Sequence, residues 1–417
     1  SWKSGNPRGT FEAKDRPDVT TTPVPRYDLI NFEDYVHVGV QFSRGCPFNC
    51  EFCDIIELFG RVPRVKSAEQ FLSELQRLYE LGYRGWVDIV DDNFIGNRRE
   101  IKPMLHKLKA WQQERNYPFF FSTEATLNVA DDEELLGLMR DVDFRFVFMG
   151  IETPEPDLLA VTQKRVNAMK PIVERVQTMY RYGIAITAGF IFGFDTENTN
   201  NDVAMQACIE DCGIVMAMVG LLVALPNTLL TRRLQRERRL LSTDLTLYES
   251  DEPYRLSTAG KFAEGEDQQA AGLNFITTRD RVEIYREYQR LIRHIFSPQA
   301  FMDRILDSAT RIQFAYKHQP SLWEWKRNLK GLFATATWML ARPEIRKLYL
   351  RNCLKTARHG IASFDYAHRM MSMYMHFQPQ TEHLCSELDR NIDFALHDAP
   401  YPRMVEPGQI IQIAEQS

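Results

Sequence analysis

From about residue 37 the sequence alternates short apolar, β-branched runs with longer segments of helical period, and no other feature limits the fold so sharply. Six such runs can be drawn, near His37 to Ser43, Gly85 to Val90, Phe119 to Thr123, Phe144 to Ile151, Ile184 to Phe194 and Met218 to Leu225. Each is apolar almost throughout, the pattern of a strand buried on both faces, so a parallel sheet or barrel under an outer layer of helices is expected. The intervening helices are legible too. Ser67 is an N-cap with Gln70 three residues on, Phe71, Leu72, Leu75, Leu78 and Tyr79 share a face, and Gly82 lies past the end. Further helices are expected over about Arg99 to Arg115, Asp132 to Met139, Ala168 to Tyr182 and Asn200 to Cys212. Six βα repeats make an open barrel, and function in such α/β folds gathers at the carboxyl ends of the strands.

After about Arg239 the alternation stops. A stretch rich in Asp, Glu, Ser and Thr runs to Gln269, followed by helical segments over Arg281 to Ile295, Pro298 to Gln313, Pro320 to Ala341, Pro343 to His359 and Phe364 to Leu396. The organisation read from this is an extended lead-in over 1–36, a barrel over 37–239, a connecting segment over 240–278 and a helical C-terminal domain over 279–417. A net charge of −5 on 417 residues argues against a polyanion binder, and no nucleic-acid partner is expected. The local run Arg232, Arg233, Arg236, Arg238 and Arg239 reads as a solvated helix face. The apolar run Gly213 to Leu225, followed by Pro226, falls short of the roughly 20 apolar residues of a spanning helix and is taken as a buried strand. The first thirty residues carry no secretory pattern, which sets the expectation of a cytoplasmic protein.

Seven cysteines, an odd number with four of them scattered over a long chain, do not make a disulfide framework, but three stand together as Cys46-x3-Cys50-x2-Cys53. A loop that short can turn three thiolates onto one metal centre. A structural zinc site wants four protein ligands, and no fourth Cys or suitably spaced His follows. An iron–sulfur cluster fits better: three thiolates hold three irons and leave the fourth open, whereas electron-carrier ferredoxins usually close all four positions. The open iron implies chemistry and speaks against a non-catalytic electron-transfer protein. Cys208 and Cys212, four apart in a helical segment, are read as buried small residues, as are Cys353 and Cys385.

The triplet Cys46, Cys50, Cys53, with Phe52 before the third cysteine, resembles the radical S-adenosylmethionine superfamily. Gln41-Phe42-Ser43-Arg44-Gly45-Cys46-Pro47-Phe48, then Val90-Asp91-Asp92-Asn93-Phe94-Ile95-Gly96-Asn97, then Phe148-Met149-Gly150-Ile151-Glu152-Thr153, are similar, in order and spacing, to the cobalamin-dependent branch related to hopanoid methylases. Ala188 to Asp195 and Ala224 to Thr228 add to the match, which covers roughly residues 26 to 310. The resemblance implies an α/β fold, a partial (β/α)6 TIM-like radical SAM barrel with a helical C-terminal domain. It also implies a 4Fe–4S cluster on Cys46, Cys50 and Cys53, S-adenosylmethionine chelated at the open iron, a 5′-deoxyadenosyl radical, and an electron donor of flavodoxin or ferredoxin type.

Carried over position by position, Asp91 and Asp92 end the second strand, where the superfamily receives the methionyl ammonium; the alternative is that they cap the loop or the next helix. Glu124, ending the third strand, and Glu152, on the fourth, either meet the ribose or methionyl group or form structural ion pairs. Gly150 and Gly193 either admit a flat adenine or relieve packing. Relatives of this branch commonly carry an N-terminal cobalamin-binding domain, which this sequence does not contain. The expectation is that the chain, beginning at Ser1, is a fragment of a longer enzyme that methylates an unactivated carbon with cobalamin as methyl carrier; a cobalamin-independent radical cyclase or oxidase is the alternative. The substrate expected is a small molecule or lipid. Met370, Met371, Met373, Met375, Tyr374, Phe377, Trp323 and Trp325 offer apolar surface for an isoprenoid or for peripheral membrane contact, although Met-rich helices are more often plain core.

Overall fold

A computed structural model describes residues 15–161, 170–241, 272–397, 399 and 402–405. Its strands are β1 (Val38–Val40), β2 (Ser43–Arg44), β3 (Arg64–Val65), β4 (Gly85–Ile89), β5 (Phe119–Ala125), β6 (Phe144–Glu152), β7 (Ala185–Phe192) and β8 (Met216–Leu221). Six of them form one parallel sheet in the order β1-β4-β5-β6-β7-β8, while β2 and β3 make a separate antiparallel pair. Helices follow the sheet strands: α1 (Ile55–Leu58) and α2 (Ala68–Glu80), α3 (Arg98–Glu114), α4 (Glu133–Asp141), α5 (Pro156–Val161) and α6 (Ile172–Arg181), α7 (Asn201–Cys212), and α8 (Leu229–Arg236). This is the open six-stranded α/β barrel expected, with strand order equal to chain order. Residues 162–169, including the first turn expected of the fourth helix, lie outside the described residues.

The strands are not buried on both faces, as their near-continuous apolarity suggested. Val87, Ile89, Phe119, Phe121, Thr123 and Ala125 are buried under the outer helices, while the alternating Trp86, Asp88, Phe120 and Glu124 are less covered. Successive side chains point to opposite faces of a strand, so the second set lines the lumen. Along β6, β7 and β8 the lumen face carries Gly150, Gly189 and Gly220, and a Cβ built on Gly220 would meet nothing within 4 Å. The lumen face is uncrowded at Gly220, whereas the Phe148 ring fills the space beside Gly189.

Two apolar runs are interrupted for identifiable reasons. His37 to Ser43 splits into β1 and β2 because the Asp91 carboxylate takes the backbone N–H groups of Phe42 and Ser43. The last run ends at Leu221 rather than Leu225, because residues 272–275 lie over the remainder: Leu273 N–H donates to the Leu222 carbonyl, and the Asn274 amide pairs with both backbone groups of Ala224. The rest of the connecting segment, 242–271, lies outside the described residues.

The C-terminal helices are α9 (Arg281–Ile295), α10 (Pro298–Arg311), α11 (Leu322–Leu340), α12 (Pro343–His359) and α13 (Ile361–His397). Helix α9 leans on the barrel's last strand, where Tyr288 Oη donates to the Val219 carbonyl at 2.8 Å, and Arg304 of α10 reaches the Ile214 carbonyl at 2.9 Å. One continuous set of buried apolar side chains runs from the strands into these helices. Between α10 and α11 the chain passes under the amino ends of the strands. There the backbone N–H groups of Lys317 and His318 donate to Asp143, Arg145 stacks between Phe120 and Tyr316, and the Glu324 carboxylate sits where a Cβ on Gly85 would stand. Burial raises the Glu324 carboxyl, but hydrogen bonds from His318 and Ser321 outweigh it and hold the group down at about 2. This segment seals the amino end of the barrel and leaves the carboxyl end as its mouth.

Candidate active site

The three clustered cysteines lie at that mouth, on a loop closed at its neck by the pairing of Ser43 with Val65 and Arg44 with Arg64. Inside the loop Cys46 N–H donates to the Gly60 carbonyl and Cys53 N–H to the Cys50 carbonyl. Gly45 takes φ +102°, and a Cβ there would stand 2.8 Å from the Gly60 oxygen, so only glycine fits the turn into the loop. Cys50 is buried and Cys46 and Cys53 are half-buried, so the thiols reach the surface of the mouth without leaving the protein. Among the described residues no three such side chains converge on a single metal ion. Thiolates spread over a loop suit a cluster that takes one thiolate per iron rather than a lone cation.

The end of β4 braces this loop. Asp91, only 1% exposed, accepts from Phe42 N, Ser43 N and Ser43 Oγ at 2.7–2.9 Å; burial pushes its carboxyl up to about 6 in spite of those bonds. Asp92 accepts from Gly45 N at 2.7 Å, and Asn93 Nδ2 lies 3.8 Å from Cys46 Sγ while its oxygen accepts from Thr126 N. Both aspartates thus bond the base of the loop; Asp91 is buried and Asp92 remains partly exposed at the mouth.

Glu124, at the carboxyl end of β5, faces the lumen two residues above Ser122. Partial burial raises its carboxyl, with Asp88 and Asp92 adding repulsion. Below it Trp86 Nε1 donates to Ser122 Oγ at 2.6 Å, and Ser122 Oγ in turn donates to Asp88. This polar line on the lumen wall was not identified from the sequence; the signal was the polar residue at alternate positions, Asp88 and Ser122, inside otherwise apolar strands. Glu152 ends β6, buried, with φ +68° beside a break in the register with β7. A left-handed non-glycine residue at a bulge costs about 1–3 kcal/mol and is retained where the surroundings fix it. Gly150 pairs with Gly189 across β6 and β7 on the lumen face. Gly193 has φ +96°, and the space of its missing Cβ is filled by Leu273, with 2.7 Å between them. Its N–H donates to Glu197, whose carboxyl is pushed up to about 8 by burial.

The arginine run divides. Arg233 and Arg239 are not a solvated face: their guanidinium groups both bond Asp195, and Arg233 also grips Glu51, the residue between Cys50 and Phe52, at 3.0 Å. Leu230 N–H adds a bond to the Glu51 carbonyl at 2.8 Å. A chain of charge, Glu51–Arg233–Asp195–Arg239, therefore ties the cysteine loop to the turn after β7, and Phe52 packs edge-on against Phe194 at 5.9 Å. Burial raises the Asp195 carboxyl, but hydrogen bonds and charge from the Arg239 and Arg233 guanidinium groups outweigh it and hold the group below its usual range. Helix α8, which supplies Arg233, starts at the N-cap Thr228; the sequence indicated a helix there but not the acids that Arg233 and Arg239 meet. Cys208 and Cys212 are buried in α7.

The sequence pattern of the radical SAM superfamily matches residues 40–206, and that of a domain of unknown function (DUF4070) matches residues 228–390. An uncharacterized methyltransferase of Synechocystis sp. is 38% identical over 393 residues, covering 93% of this chain and 69% of that protein. The hopanoid C-2 methylase of Rhodopseudomonas palustris is 44% identical over 234 residues, 56% of this chain and 44% of that protein. A solved structure of the cobalamin-dependent S-adenosylmethionine radical enzyme OxsB, with aqua-cobalamin and S-adenosylmethionine bound, is 15% identical with a TM-score of 0.44, over 91% of this chain and 57% of that one. The chain thus spans about two thirds of the first relative and less than half of the second.

Proposed function

Because the chain belongs to the radical SAM superfamily, we propose that it is a C-methylating enzyme that binds a 4Fe–4S cluster on Cys46, Cys50 and Cys53 and S-adenosylmethionine beside it, and transfers a methyl group to an unactivated carbon of a lipid-like substrate. The observation that carries this reading is the braced cysteine loop at the carboxyl end of the barrel strands. When bound, the cluster and S-adenosylmethionine supply a 5′-deoxyadenosyl radical that removes hydrogen from the substrate, and cobalamin carries the methyl group. The chain's own part is binding, orientation and exclusion of water. Asp92 and Glu124, the carboxylates open to the mouth, receive the methionyl ammonium; a carboxylate suits a cation of that kind. Glu152 accepts from the ribose. Gly220 leaves open space against the backbone on the lumen face of β8, where a flat group fits. An external one-electron donor of flavodoxin or ferredoxin type completes the system.

The test is anaerobic reconstitution with iron and sulfide, then reduction. Electron paramagnetic resonance is recorded before and after adding S-adenosylmethionine, and 5′-deoxyadenosine is assayed. A perturbed signal together with deoxyadenosine is the expected result. A cluster indifferent to S-adenosylmethionine would falsify the proposal. Methyl transfer is then sought with methylcobalamin and a hopanoid substrate. In cluster-retaining Asp92→Ala and Glu124→Ala variants, S-adenosylmethionine affinity falls; unchanged affinity returns both residues to a structural role.

A further inference from the structure

Helix α11 carries an apolar stripe on its outer side. Leu322, Trp325, Leu329 and Phe333 recur every three or four residues, Leu340 follows two turns later, and all are exposed, Leu322 at 82% and Phe333 at 68%. The opposite side of the same helix is buried through Glu324, Thr335 and Met339, so the stripe is not the core-facing side turned outward by a misread period. Helix α12 repeats the arrangement with Leu350 and Leu354, both more than half exposed. Surface leucines scattered singly need no account, whereas a periodic stripe continued on a second helix does.

Charge accompanies the stripe. Residues 322–360 hold nine Lys and Arg against two acids, Glu324 and Glu344, in a chain whose net charge is −5. Glu324 is buried against His318, which removes it from the surface. Among the described residues Lys326, Lys330, Lys347, Lys355 and Arg358 have no acidic partner, and all five are exposed. On a helical projection Lys326 and Lys330 border the apolar stripe of α11, and Arg327 lies over the Trp323 ring at 4.4 Å.

We propose that α11, with the basic side of α12, docks the protein on an anionic lipid surface, with α11 lying in the headgroup plane. A helix with a continuous apolar face, flanking lysines and tryptophan at one end has the composition of an interfacial helix, and no described helix is long and apolar enough to cross a membrane. A second copy of the chain is a poorer occupant, because a two-fold contact through this face would set its unpaired cations against their own copies. The inference does not rest on methylation; it is read without turnover.

The experiment is co-sedimentation of the full chain with vesicles of phosphatidylcholine alone and of phosphatidylcholine mixed with phosphatidylglycerol. Binding to the mixed vesicles only, weakened by salt, is expected, and Lys326→Ala with Lys330→Ala lowers the partition by about 25-fold, about fivefold per cation. Phe333→Ser lowers it further and removes the blue shift of tryptophan emission on binding; these positions are exposed, so circular dichroism is unchanged. Equal binding to the two vesicles, or to neither, overturns the proposal. So does a dimer in solution that Phe333→Ser dissociates, since a second copy would then cover the stripe.

Discussion

The mouth of the barrel and the outer face of α11 and α12 both concentrate arginine and lysine, and they treat them in opposite ways. At the mouth Arg233 and Arg239 are clasped by Glu51, Asp195 and Glu237, and the cysteine loop is fixed through them. On the outer face Lys326, Lys330, Lys347, Lys355 and Arg358 have no acidic partner among the described residues and stand beside exposed apolar side chains. Paired charge in a partly covered place specifies geometry; unpaired charge in water leaves the surface ready for a charged partner. Composition alone does not separate the two, since the sequence reads as basic in both.

The difference can be broken most completely at the cysteines. Replacing Cys46, Cys50 or Cys53 by Ala abolishes iron content and S-adenosylmethionine cleavage in the reconstituted protein, and retention of either refutes the ligand set.

The mouth also holds a buried acid. Glu197, buried behind Gly193, has its carboxyl raised from 4.5 to about 8 by burial, against bonds from Gly193 N–H and Asn201 and the charge of Arg279. A raised carboxyl means that the folded state holds its proton more tightly. The stability this contributes is complete below about pH 4.5 and is lost as pH rises to about 8; the rise from 4.5 to about 8 corresponds to at most about 5 kcal/mol. The Asn201 oxygen has no hydrogen-bond partner, so turning that amide offers an acceptor to the protonated acid. Denaturant unfolding at pH 5 and pH 8 should therefore show Glu197→Gln gaining on the parent at the higher pH, and parallel behaviour of the two proteins refutes the assignment.

Arg233→Ala leaves Glu51 facing Asp195 with no cation between them. A loss of about 2 kcal/mol is expected, less than for a fully buried pair because the guanidinium is 29% exposed on its side chain. The reconstituted variant also holds less iron, and Arg233→Lys restores part of both. By contrast Lys326→Ala on the outer face stays within about 0.5 kcal/mol of the parent. Equal losses at the two sites would erase the distinction.

The smallest effect expected is at the amino end. Ser321 and Glu324 form a capping box that starts α11, and Ser321→Ala costs about 1 kcal/mol in thermal or denaturant unfolding without altering iron content.

The βα alternation and the cysteine triplet were legible because each is local. Apolar period and cap residues specify where Ala68–Glu80 or Arg281–Ile295 begins and ends, and three thiols seven residues apart at most announce a shared centre. What stayed hidden depends on residues far apart in sequence. Asp91 reads as a free strand-end acid until Phe42 and Ser43, nearly fifty positions away, are seen to donate to it. The arginine run reads as a solvated face because Glu51 and Asp195 are 182 and 38 positions from Arg233. Gly193 reads as room for a ligand until Leu273 fills the space beside it. The extra apolarity of Leu222 to Leu225 likewise belongs to a cover, residues 272–275, that no window of sequence joins to it.

The seal formed by Lys317, His318 and Glu324 beneath the strands makes the lumen a cul-de-sac. In such a space traffic is last in, first out. Whatever sits deepest, near Trp86 and Asp88, has to be loaded before the mouth is filled and can leave only after the mouth is cleared, so the order of loading is written into the architecture rather than into any affinity.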